Sequence, residues 1–222
     1  MSIHTIRFGD EGQVATREML ARYDRLAGAR PGHGGEDGAQ LRRDLATLER
    51  LDHAHGGAGP VGLEGAGDLV ASLLARLSGF GDPELVIGVA LWAIRHGVEL
   101  TAVEPVANAL ALRSNAAASR AELSAVVGLM HGVIEHVRDR LGADLERSNP
   151  ERPWRVLHAN LAITAIRTED PRLMELAFDA LDAALADERA NFYAEALALA
   201  LAPGIAPEVH RAIAARHQRW TA

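Results

Sequence analysis

The sequence predicts an all-α protein. It reads as an antiparallel helical bundle, or as a short irregular stack of helical pairs like a solenoid, with a short extended N-terminal segment. Three observations carry this. From Asp68 onward, apolar residues recur at helical spacing with only short breaks. Several of these segments open on a capping residue. The apolar residues make up 48% of 222, with aromatics at only 4%, and are mostly Ala, Leu and Val. Such small and aliphatic side chains let helices approach closely.

The first element is "IHTIRF", which alternates and places Ile6 and Phe8 on one side of an extended arm. "GDEG" turns the chain. Gln13 to Leu26 follows as a helix with Val14, Met19 and Tyr23 among its apolar positions. "GARPGHGGEDG" breaks it, because glycine and proline crowd one segment. Leu41, Leu45, Leu48 and Leu51 then recur at helical spacing and define a second helix. "HGGAGPVGLEGAG" is glycine-rich again. Residues 1–65 therefore read as an N-terminal arm with two modest helices between loops. The glycine-rich loops at 28–38 and 56–67 predict that this part is held less firmly than the rest.

Residues 66–222 read as the main helical domain. Its helices fall at about 68–78, 83–97, 101–114, 119–141, 152–167, 171–186, 188–201 and 207–219. Asp82-Pro83 and Asp170-Pro171 each place a capping carboxylate before a proline at the first helical position. Ser119 with Glu122 three residues on is a capping box. "HGVEL" and "APGIAP" are stop signals. Short loops between helices imply antiparallel neighbours. "DPELVIGVALWAI" resembles "DPRLMELAFDAL" further along, but no regular repeat follows from the pair.

Composition excludes several chemistries. The chain has no cysteine, so thiolate metal sites, iron–sulfur clusters, disulfides and thiol nucleophiles are ruled out. It has no lysine: all 23 basic residues are arginine, which removes Schiff-base and P-loop lysine chemistry. Arginine has GC-rich codons and lysine does not, so this bias points to a GC-rich bacterial genome. The net charge of −7 and the absence of a basic block argue against nucleic acid. No apolar run reaches the length of a spanning helix, and "MSIHTIRFGDEG" lacks a signal-peptide layout. The sequence thus predicts a cytoplasmic protein without a membrane partner.

Polar motifs inside helices are the candidates for chemistry. In "LMHGVIEH", His131 and His136 point about 140° apart and cannot chelate one ion. His131 and Glu135 share a face; they read as an ordinary i,i+4 polar pair. In "ERLDHAH", Glu49 and His53 are four apart, flanked by Asp52 and His55. Histidine at a helix C-terminus is favoured by the macrodipole; a metal site at Glu49 and His53 is the alternative. Glu-x-x-His, His-Glu-x-x-His, Gly-x-Ser-x-Gly and Asp-Asp-x-x-Asp are all missing. No Gly-x-Gly-x-x-Gly follows a strand. No metal, cofactor or catalytic residue is assigned.

The leading expectation is a non-enzymatic helical scaffold or adaptor that binds another protein, or itself. A helical protein that binds a small ligand or metal is the alternative, with His131, Glu135 and His158 as its candidates. An enzyme built from scattered His, Asp, Glu and Arg is the third. Hot spots favour Trp, Tyr and Arg. Two segments combine these types at places the pattern leaves exposed: Arg152, Trp154 and Arg155, and the later Arg216, Arg219 and Trp220. Trp220 either folds back or meets another chain. Trp92, in the all-apolar "VIGVALWAI", is expected in the core. "NFYAEALALALA" offers an alanine-rich run that serves either internal packing or a partner surface.

Overall fold

A computed structural model of the chain describes residues 19–28, 35–62, 64–201 and 205–221. The protein is all-helical, with ten helices and no strand among the described residues. They are α1 (19–28), α2 (Glu36–Ala54), α3 (Ala66–Ser78), α4 (Pro83–Arg95), α5 (Glu104–Ala116), α6 (Arg120–Leu141), α7 (Pro153–Thr168), α8 (Pro171–Ala184), α9 (Arg189–Leu199) and α10 (Pro207–Thr221). The extended arm expected at "IHTIRF" lies outside the described residues.

Helix starts follow local chemistry. Asp82 accepts from the Leu85 amide at 3.2 Å, and Asp170 from the Arg172 amide at 2.8 Å. Each stands before a proline whose fixed φ suits the first helical position. Ser119 accepts from the Glu122 amide, while the Glu122 carboxylate reaches back to the Ala118 amide at 2.8 Å. α5 begins three residues later than its expected start at 101. Pro105 explains the shift: it has no N–H to donate to the Thr101 carbonyl and its ring would crowd that carbonyl, so the helix does not run through Thr101–Val103.

The chain divides into two compact units, one up to Arg113 and one from Ser114. In the first, α2 packs on α3 and α3 on α4. Leu41, Leu45 and Leu48 face Val70, Leu73, Leu74 and Leu77 in a core where none is more than 5% exposed. α4 is buried on all sides from Leu85 to Ala93, which is why its pattern shows no polar face. Trp92 is fully buried, as expected, and its Nε1 donates to the Leu48 carbonyl at 3.1 Å. Tyr23 of α1 stacks on Phe80 and donates to the Gly38 carbonyl. The boundary drawn between 65 and 66 from glycine content falls inside this unit. α2 packs through Leu45 and Leu48 and is joined to its neighbours by the Trp92 bond and by Arg76–Asp44 at 3.0 Å.

In the second unit, α6 packs on α7, α7 on α8, α9 on α10, and α10 returns to α8. Sequence neighbours are thus spatial neighbours, as short connections require. Val126, Met130, Val133 and Val137 of α6 share one helical face and are buried. Leu157, Leu161 and Ala165 of α7 are buried too. Phe178 of α8 meets Tyr193 of α9 edge to face at 5.3 Å.

Candidate functional site

The segment after α6 is shaped by one arginine. Gly142 closes α6, and a Cβ there would sit 2.6 Å from the Arg138 carbonyl oxygen, so glycine is required. Asp144 then adopts a left-handed φ of 45°, a conformation aspartate tolerates better than most residues. Its carboxylate accepts from Arg152 Nε at 2.6 Å and Nη2 at 3.1 Å. Arg152 Nη1 donates to the Arg147 and Asn149 carbonyls, and Nη2 to Glu188. Arg155 also donates to Glu188. One buried guanidinium therefore staples the α6–α7 connection to the start of α9.

Asp144, Arg147, Arg152, Arg155, Asp187 and Glu188 line a cleft of about 400 Å³. Three guanidiniums and three carboxylates balance there, so the cleft offers no excess charge to an anionic ligand. Burial pushes the Glu188 carboxyl up, but hydrogen bonds from Arg155 and Arg152 outweigh it and hold it below its ordinary value. The Asp144 hydrogen bond raises Arg152.

A second ionic cluster joins α8 to α10. Arg216 donates to Asp182 at 2.6 Å, Asp179 at 2.7 Å and Glu175 at 2.9 Å. Asp182 also accepts from the Tyr193 hydroxyl at 2.9 Å. Burial pushes the Tyr193 hydroxyl strongly up, and the neighbouring Asp182 charge adds to it. Burial opposes the charge on Arg216, yet its carboxylates outweigh that and raise it.

These placements correct the exposure expected of the candidate partner residues. Arg152, Trp154 and Arg216 are buried; the two arginines are committed to carboxylates, and the Trp154 ring packs on that of His158. Their residue types suggested hot spots, but the same types serve internal clamps. Arg155 is half-exposed and Arg219 exposed. Trp220 folds back: the Arg189 guanidinium lies 3.5 Å above its ring and that of Arg219 4.7 Å away.

The histidine candidates are also accounted for. His131 Nε2 lies 3.8 Å from Glu135, which is itself engaged by Arg138. His158 is buried, and its Nδ1–H donates to the Trp154 carbonyl at 2.8 Å. Burial holds its pKa below the ordinary imidazole value. Glu49 and His53 line an open cleft of about 830 Å³ with Arg50, Asp52, Gly56 and Gly57. Among the described residues, no three His, Asp or Glu side chains are grouped to hold a metal ion.

The sequence offers Asp52 only as a flank of Glu49 and His53, and gives no sign of its pairing with Arg95 and His96. The buried stripe of α2 runs Leu41, Leu45, Leu48, Asp52, not on to Leu51. Stepping from 48 to 52 rotates only about 40°, whereas 51 lies about 60° the other way. An acid on an apolar stripe signals a buried partner; here the partners are Arg95 and His96, each 2.9 Å from Asp52 Oδ1.

α9 is built differently from its neighbours. Tyr193 is its one buried residue, while Ala194 and Ala198 are exposed. Leu199 is 75% exposed, and Leu201 beyond the helix end 72%. No protein-family model matches the chain, and no curated protein or solved structure matches it. Among the described residues, no helix is long and apolar enough to cross a membrane.

Proposed function

We propose that this chain is a non-enzymatic helical scaffold that binds another protein through the C-terminal end of α9 and the residues just beyond it. One observation carries the reading: Leu199 at the end of α9 and Leu201 two residues on are both largely in water. Single scattered surface leucines need no explanation, but two exposed leucines within three residues at one helix end favour a partner. Arg155 and Arg219 stay in the proposal as residues that reach the surface; Arg152, Trp154 and Arg216 leave it because they are buried, and Trp220 because it folds back under Arg189. The cytoplasm remains the proposed compartment.

The test is a photo-crosslinking amino acid at position 199 in the full chain, expressed in its native host. A control carries it at exposed Arg43 on α2. A discrete adduct at 199 and not at 43 is expected. Burying one leucine is worth about 1.5–3 kcal/mol, so Leu199→Asp with Leu201→Asp should weaken the complex at least about tenfold. The melting temperature should hold. Equal adducts at both positions, or binding unchanged by the double substitution, would overturn the proposal.

A further inference from the structure

We infer that the loop between α6 and α7 joins two copies of this chain across a two-fold axis, each copy seating its Leu145 in the cleft of the other. Leu145 is 91% exposed, the highest value for a large apolar residue among those described. It does not sit on a loose tip. Before it, the Asp144 amide donates to the Leu141 carbonyl at 2.9 Å; after it, the Asn149 amide donates to the Glu146 carbonyl at 2.8 Å. Arg152 holds the Asp144 carboxylate and the Arg147 and Asn149 carbonyls. The loop is therefore ordered before anything binds, and a contact made there loses little further entropy.

The recess that receives the leucine belongs to the same loop. Asp144 and Arg147, on either side of Leu145 in the chain, line the cleft of about 400 Å³, while Leu145 itself does not. A two-fold contact uses one patch on both copies, so a projection needs its recess beside it. One wall of the recess is apolar, from Ala183, Ala184 and Ala186. On the other wall Arg152 is already paired with Asp144 and Arg155 with Glu188, so an arriving leucine strands no charge.

Charge favours a second copy at this place. The chain carries −7 overall, yet residues 138–155 and 183–189 hold six arginines and six carboxylates. Two copies thus meet where the repulsion between like-charged molecules is least. Arg147 and Asp187 stand at the rim, with side chains 66% and 77% exposed. The rotation that seats Leu145 brings Arg147 of each copy towards Asp187 of the other, so the rim complements itself. About a dozen exposed residues a side take part, fewer than the ~20–30 of a standard interface. The dimer is accordingly weak, with a Kd on the order of 10–100 µM. Glu188 ties this face to the start of α9, and Leu199 ends that helix, so the inference does not rest on the partner site proposed above.

The test is sedimentation equilibrium of the full chain, which should be monomeric at about 2 µM and mostly dimeric at about 500 µM. Leu145 makes no part of the core, so Leu145→Glu should keep the melting temperature. Each dimer buries two leucines, each worth at least about tenfold, so this variant should dissociate about 100-fold more readily. Leu199→Asp with Leu201→Asp should leave the dimer unchanged. Because the chain has no cysteine, introduced thiols report the geometry. Chains with Leu145→Cys, mixed equally with chains carrying Ala186→Cys and oxidised, should give mixed disulfides well above the statistical half. Four results each overturn the inference: a monomer at about 500 µM, a dimer that survives Leu145→Glu, a dimer broken by the α9 substitutions, or mixed disulfides at or below that half.

Discussion

Replacing Arg216 with methionine isolates the α8–α10 clamp. Methionine keeps an unbranched apolar stem and removes the guanidinium. Its three acceptors are not equal: the Asp182 side chain is 10% exposed, whereas Asp179 is 64% and Glu175 73% exposed. The two exposed pairs contribute about 0–1 kcal/mol each. Breaking a buried pair from one side costs about 3–5 kcal/mol, because a charge is left uncompensated. Asp182 keeps its bond from Tyr193, which reduces that figure. We therefore expect Arg216→Met to cost about 2–4 kcal/mol in urea unfolding followed by circular dichroism. Adding Asp182→Asn removes the stranded charge, so the double variant should be more stable than Arg216→Met alone. The coupling should be about 1–3 kcal/mol. A single variant within about 0.5 kcal/mol of the parent, a surface-like value, would refute the reasoning.

Two further outcomes follow from the second unit. His158 has a depressed pKa because burial disfavours its charge. Its contribution is therefore present above the unfolded value of about 6.5 and lost as pH falls towards the folded value. Urea midpoints should drop between about pH 7 and pH 5, and His158→Gln should flatten that slope; an unchanged slope excludes His158 as the cause. Trp220→Ala removes the surface on which Arg189 and Arg219 rest. It should cost about 1–2 kcal/mol of stability with oligomeric state unchanged in sedimentation. Loss of association without loss of stability would assign Trp220 to an interface instead.

The helices were legible because their signals are local. Asp82-Pro83, Asp170-Pro171 and the Ser119–Glu122 box form their caps within a few residues of chain, so spacing alone places them. Trp92 was legible for a related reason: a segment apolar all round has nowhere to go but the core. The ionic clamps were not legible, because their partners lie far apart in sequence. Arg216 finds Asp182 34 residues away, and His96 finds Asp52 44 residues away. An arginine bound for a buried carboxylate and one bound for solvent look the same along the chain. Hence Arg152 and Arg216 read as surface residues. The exposed end of α9 was half legible: the alanine-rich run was visible, but which of its faces remained uncovered depends on where α10 packs.

The Asp144–Arg152–Glu188 triangle also constrains how this chain can change over generations. A substitution of Arg152 leaves Asp144 buried without its cation, and a substitution of Asp144 leaves Arg152 in the same position. Either first step passes through a less stable intermediate. The way round is a near-simultaneous exchange of ions for an apolar set of matching volume. Among relatives, positions 144, 152 and 188 should therefore vary as a block, charged together or apolar together. Arg147 and Asp187, paired in open water at 3.1 Å, have no such bond to one another's history and should drift independently.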